Sequence, residues 1–143
     1  MVAKSKRLQV VVNLAERELH DSAAALAKVN QQYHFEEGRL QELQTYFEEY
    51  QQQAKQQWGS GISVSQLMNF NYFLNNLRQA IEQQQQTLAH LQRVCERARQ
   101  QWLNHKAKHV NLCDLQKKAL QDEDKMLEKK LQRDIDDNFS KLK

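Results

Sequence analysis

The chain has 143 residues, room for a single domain, with no proline, three glycines, 22 glutamines, 27% charged residues and a net charge of +3. Together with a mean hydropathy of −0.89, this excludes a large globular core and leaves a narrow apolar seam along helices as the structure such a chain can bury. The net charge is too mild to argue for nucleic-acid binding, and the sequence has no apolar run of about 18 residues that would cross a membrane.

The basic start, Met1 to Arg7, is followed by the short apolar stretch Leu8–Val12, soon interrupted by Glu16 and Glu18. That is too short for a secretion signal, so a cytoplasmic location is expected. From Leu8 the chain can be stepped alternately by four and three through Val12, Ala15, Leu19, Ser22, Leu26, Val29, Tyr33, Glu36, Leu40, Leu43, Phe47, Tyr50, Ala54 and Gln57. Twelve of these fifteen positions are apolar or aromatic, against 40% hydrophobic residues overall. This is a heptad seam, and it predicts a first helix over about 5–58. Glu36 and the neighbouring Gly38 are its weak point.

The only strong stop-and-restart signal is Trp58-Gly59-Ser60-Gly61-Ile62-Ser63. Gly59 suits a left-handed helix cap. Ser63 with Gln66 forms a capping box, and Ile62 is placed to staple onto Leu67. A second helix is predicted over about 63–140. Its seam runs through Leu67, Phe70, Leu74, Leu77, Ile81, Gln84, Leu88, Leu91, Cys95, Ala98 and Trp102, weakens at His105 and His109, and recovers at Leu112.

A loop this short returns the second helix antiparallel to the first. The expected fold is therefore all-α: a single-domain, antiparallel two-helix coiled-coil hairpin over residues 1–143. Facing residues should add to about 123. By that rule Leu8 meets Leu115, and the second helix overhangs by about 25 residues, some 40 Å. The overhang carries Leu120, Leu127, Leu131, Ile135, Phe139 and Leu142, a spacing that has drifted off the heptad. Alone in water it either frays or waits for a partner.

Catalytic motifs are missing: the sequence has no glycine-rich phosphate loop, nucleophile elbow or HExxH, and no cofactor is expected. His105 and His109 have metal-ligand spacing without a third ligand beside them. Asp134, Asp136 and Asp137 point to different sides of a helix and read as a solvated end. Cys95 and Cys113 would lie about 27 Å apart on one helix, too far to pair. Arg93, Arg97, Arg99, Lys106 and Lys108 form the most basic stretch, read as a solvated face.

The informative feature is aromatic. Arg39 with Gln84, Leu43 with Ala80, Tyr46 with Leu77, and Tyr50 with Phe73 obey the 123 rule and stack along one side near the turn. Core packing accounts for Leu43, Tyr50 and Leu77. Tyr46 and Phe73 lie one step off the seam and read as part of a protein-binding surface.

The segments Leu14-Ala-Glu-Arg-Glu-Leu19, Ala23-Ala-Ala-Leu26, Glu36-Glu37 through Leu40, Leu43, Tyr46 and Glu49-Tyr50, the turn Gly59–Ser63, and then Asn71, Phe73, Leu77 and Ala80-Ile-Glu-Gln83 resemble the flagellar export protein family FliJ over residues 8–103. The resemblance implies a non-enzymatic, stalk-like adaptor of the bacterial flagellar type III export apparatus. Its implied partners are the hexameric export ATPase FliI, the export gate protein FlhA and export chaperones, and its implied place is the cytoplasmic face of the inner membrane. The gate-binding residues it implies are Arg39, Leu43, Tyr46, Tyr50, Phe73, Leu77, Ala80 and Gln84, the last standing where the family has histidine. A stalk would enter the ATPase ring through residues 1–20 and 110–140, with Leu8, Val12, Leu120, Leu127, Leu131, Ile135 and Phe139 as contacts. The competing readings are a structural coiled-coil scaffold and the stalk of a related virulence secretion system.

Overall fold

A computed structural model describes residues 3–142. Two long helices pack against each other as a hairpin: α1, Lys4–Gly59, and α2, Val64–Lys141. No strand occurs among the described residues. The contacts of the chain group it into two units, each combining a stretch of α1 with a stretch of α2. One covers Ala24–Arg99; the other covers the described residues up to Ala23 and from Gln100 onward.

The unit over Ala24–Arg99 contains the turn. α1 runs through Gly59, one residue beyond the expected helix end at Trp58. The Ser60 amide and hydroxyl both donate to the Gln57 carbonyl, at 3.2 and 2.9 Å. The left-handed position is Gly61, with φ of 81°, and Gly59 does not have a positive φ. The expectation for Gly59 is thus corrected: one more hydrogen-bonded step, Gly61 amide to Trp58 carbonyl at 3.4 Å, tightens the helix end before the chain reverses. The capping box forms as expected. The Gln66 amide donates to the Ser63 hydroxyl, and the Ser63 amide donates to Gln66 Oε1, both at 3.2 Å. Ile62 and Leu67 line one small groove with Trp58 and Gly61, as a hydrophobic staple requires.

In this unit every predicted seam residue except Gln57 is buried or half-buried. Ala54, Leu77 and Leu91 are the most enclosed, and no side chain is fully shut off from solvent. Two helices share one line of contact, so each seam residue keeps an edge in water. Glu36 and Gln84, the polar seam positions, pair with each other: Gln84 Nε2 donates to the Glu36 carbonyl at 2.9 Å and to its Oε2 at 2.6 Å. A carboxylate in the seam keeps its hydrogen bonding this way and avoids the cost of an unpaired buried charge.

The other unit holds the start of α1 and the second half of α2. Val12, Ala15, Ala119 and Ser5 are its buried residues. Its seam keeps the four-three step past Leu112, but through Gln116, Ala119 and Glu123 rather than through leucines. Leu115, expected opposite Leu8, is 50% exposed and Leu120 is 47% exposed. The physical reason is a polar clasp. Glu123 Oε2 accepts from the Ser5 hydroxyl at 2.7 Å, and its Oε1 accepts from the Ser5 amide at 3.1 Å. Gln116 Nε2 donates to the Ser5 carbonyl at 3.3 Å and to Gln9 Oε1 at 2.5 Å. α1 has no acid in its own first turn, so α2 supplies the carboxylate that satisfies a free amide there and complements the positive helix end. These bonds, with the neighbouring Lys6 charge, hold Glu123 below the usual carboxylate range, against a smaller opposing effect of burial.

Candidate functional site

Two of the surfaces that packing leaves open carry the expected site residues. The first belongs to the unit over Ala24–Arg99 and is built on the aromatic side of the hairpin. Tyr50 is the hub. Its ring lies 4.4 Å from Phe73 and 5.1 Å from Phe70, both tilted, while Tyr46 meets Phe73 edge-on at 6.1 Å. Such geometries set the positive edge of one ring against the negative face of the next. Tyr46 is 51% exposed, whereas Leu77 is 8% exposed. The expected surface is therefore layered: Leu77 is buried, Leu43, Tyr50, Phe73 and Ala80 are half-buried, and Tyr46 is exposed.

Arg39, Glu42, Leu43, Tyr46 and Gln84 line a cavity of about 350 Å³, so Arg39 and Gln84 do share a site. They do not bond each other. Gln84 is committed to Glu36, and Arg39 Nη1 reaches Glu36 Oε1 at 3.8 Å. Phe70, by its spacing only a seam residue, joins the cluster; the signal in the sequence is its three-residue spacing from Phe73. Phe47 is likewise covered by the Arg78 guanidinium at 5.5 Å.

The second surface belongs to the other unit. Every residue from Asp124 to Leu142 is exposed, yet Leu127, Leu131, Ile135, Phe139 and Leu142 recur along it, each more than half exposed. This stripe does not continue the seam. Four-three steps from Glu123 lead to Met126, Lys130 and Arg133, whereas the apolar row stands roughly 100° further round. Of the other residues expected to contact a ring, Leu8 is half-buried and Val12 is 6% exposed. Val12 faces α2 and is not open to a partner while the pairing holds. Val10, Val11 and Leu14 are exposed large apolar residues of this stretch, at 70%, 42% and 53%; they fall outside the heptad, whose period gives no signal for them. Met1 and Val2, part of the expected ring-entering segment, lie outside the described residues.

His105 Nδ1 and Lys108 Nζ each approach Glu18 Oε2 at 3.6 Å, and His109 pairs with Cys113 at 3.6 Å. The two histidines thus serve separate contacts. No cluster of three or more metal-ligating side chains occurs among the described residues. Cys95 and Cys113 are free and half-buried, and Asp134, Asp136 and Asp137 are exposed. No helix among the described residues is long and apolar enough to cross a membrane.

The model of the flagellar FliJ protein family matches residues 4–142. A flagellar FliJ protein from Salmonella typhi is 28% identical over 105 residues, covering 73% of this chain and 71% of its own length. No solved structure matches the chain.

Proposed function

The chain belongs to the flagellar FliJ protein family, and on that footing we propose that it is a non-enzymatic, stalk-like adaptor of the bacterial flagellar type III export apparatus. In this reading it binds and stimulates the hexameric export ATPase FliI, engages the export gate protein FlhA, and handles export chaperones. It works peripherally at the cytoplasmic face of the inner membrane, held there through the apparatus. The observation that carries the reading is the stretch Asp124–Leu142: helical to Lys141, exposed throughout, and striped with large apolar side chains. A long amphipathic helix with no mate in its own chain is a half-built interface. A ring of subunits around a central helix supplies the missing half.

The aromatic surface around Tyr46 and Tyr50 is assigned to the gate. It has the composition of an interface centre, with tyrosine and phenylalanine over a leucine base. The two surfaces draw on different residues, as an adaptor with two partners needs.

The test follows from the clasp. Truncation after Glu123 removes the overhang and leaves every pairing between α1 and α2 in place. The truncated chain should melt like the full chain and lose its stimulation of FliI ATPase activity. Stimulation equal to that of the full chain would overturn the reading.

A further inference from the structure

The aromatic surface lies in the most acidic part of α1. Between Glu36 and Tyr50 the sequence carries Glu36, Glu37, Glu42, Glu48 and Glu49 against one base, Arg39. Arg39 is already engaged by Glu36 and lies 5.9 Å over the Phe35 ring. Glu42 and Glu49 take part in no ion pair among the described residues and are exposed. They flank Tyr46 on its own helix face, four residues before it and three after, which sets both carboxylates beside the ring.

Glu42, Tyr46 and Glu49 line a groove of about 450 Å³ that opens at Gly38, where a side chain would meet nothing within 4 Å. Glu42 and Tyr46 also line the neighbouring cavity with Arg39 and Gln84. The exposed Tyr46 ring is therefore a wall between two openings, with carboxylates at its edges. An aromatic face attracts a cation, and flanking carboxylates add charge-assisted hydrogen bonds. The sign of the charge turns away nucleic acid and anionic lipid.

We propose that this groove receives a basic segment of the protein partner, an arginine or lysine lying against Tyr46 between Glu42 and Glu49. The inference rests on the reading of this surface as gate-facing and adds the chemistry of what it recognises. Arg39 is not the recognition charge; its pairing with Glu36 fixes the far rim.

The test uses the full-length chain and the purified cytoplasmic domain of FlhA as probe, with affinity measured from 50 to 500 mM salt. Glu42 and Glu49 are exposed and unpaired, so E42Q/E49Q and E42K/E49K should fold normally, checked by circular dichroism. The neutral pair should weaken binding about tenfold and flatten its salt dependence, and the reversed pair should weaken it about a hundredfold. Binding lost in Y46A and F73A but unchanged in both glutamate variants overturns this inference and leaves the gate-facing surface standing. Binding by Y46A and F73A equal to that of the unaltered chain, or none by the unaltered chain, overturns the gate-facing reading and this inference with it.

Discussion

Leu77→Ala and Leu131→Ala ask where the helices are paired. Leu77 is 8% exposed in the seam, whereas Leu131 is 53% exposed beyond the clasp. The substitution removes three carbon atoms. At about 0.8 kcal/mol each, withdrawing them from the seam costs about 2.4 kcal/mol. The additional cavity cost is small, because no side chain among the described residues is fully enclosed and water can enter from the edge. At about 3 °C per kcal/mol for a chain of this length, Leu77→Ala should lower Tm by about 7 °C. Leu131 faces solvent whether the hairpin is folded or not, and alanine is the better helix former, so Tm should move by less than about 1 °C. Thermal melts followed by circular dichroism decide it. A drop for Leu131→Ala as large as that for Leu77→Ala would refute the pairing limit at Glu123.

The turn glycines should respond in opposite directions. Gly61→Ala places a side chain at a φ of 81° and should cost about 1–2 kcal/mol in urea unfolding, whereas Gly59→Ala lies in the helix with open space around it and should gain about 0.5–1 kcal/mol. Gln84→Ala strips the Glu36 carboxylate, whose side chain is only 15% exposed, of its donor and should cost about 1–2 kcal/mol; replacing both residues by leucine should recover that loss, read as a double-mutant cycle. Glu123 has its pKa lowered in the folded chain, so the clasp is fully present above the ordinary glutamate value and is lost as pH falls from there through the lowered one. An NMR titration should find Glu123 ionising below the ordinary glutamate value, and Glu123→Gln should speed hydrogen exchange in the first turn of α1 at neutral pH.

The pattern of large side chains carried most of the architecture. Heptad stepping from Leu8 to Tyr50 and from Leu67 to Trp102 names residues that are all buried or half-buried, because the period of an apolar row is itself the geometry of the contact. The antiparallel register was equally legible. In the turn-bearing unit, facing pairs add to between 119 for Tyr46 with Phe73 and 125 for Phe47 with Arg78, since a short loop fixes register by counting alone. The capping box at Ser63 is local chemistry and was readable for the same reason.

Periodicity could not show where polar residues stand in for apolar ones. Past Leu112 the leucines at 115 and 120 pull a sequence reading off the seam, while Gln116 and Glu123 hold it. Hydrogen bonding has no period, and whether Glu123 is a solvated surface acid or a cap for α1 depends on Ser5, 118 residues away. The candidate site divides in the same way. The sequence alone placed Tyr46, Tyr50 and Phe73 on one side of the hairpin, without Phe70. Only the tertiary structure decided that Tyr46 stays exposed while Leu77 is buried, and that Gln84 is spent on Glu36. Spacing along a helix sets which direction a side chain leaves the backbone; the neighbouring helix sets whether it arrives in water.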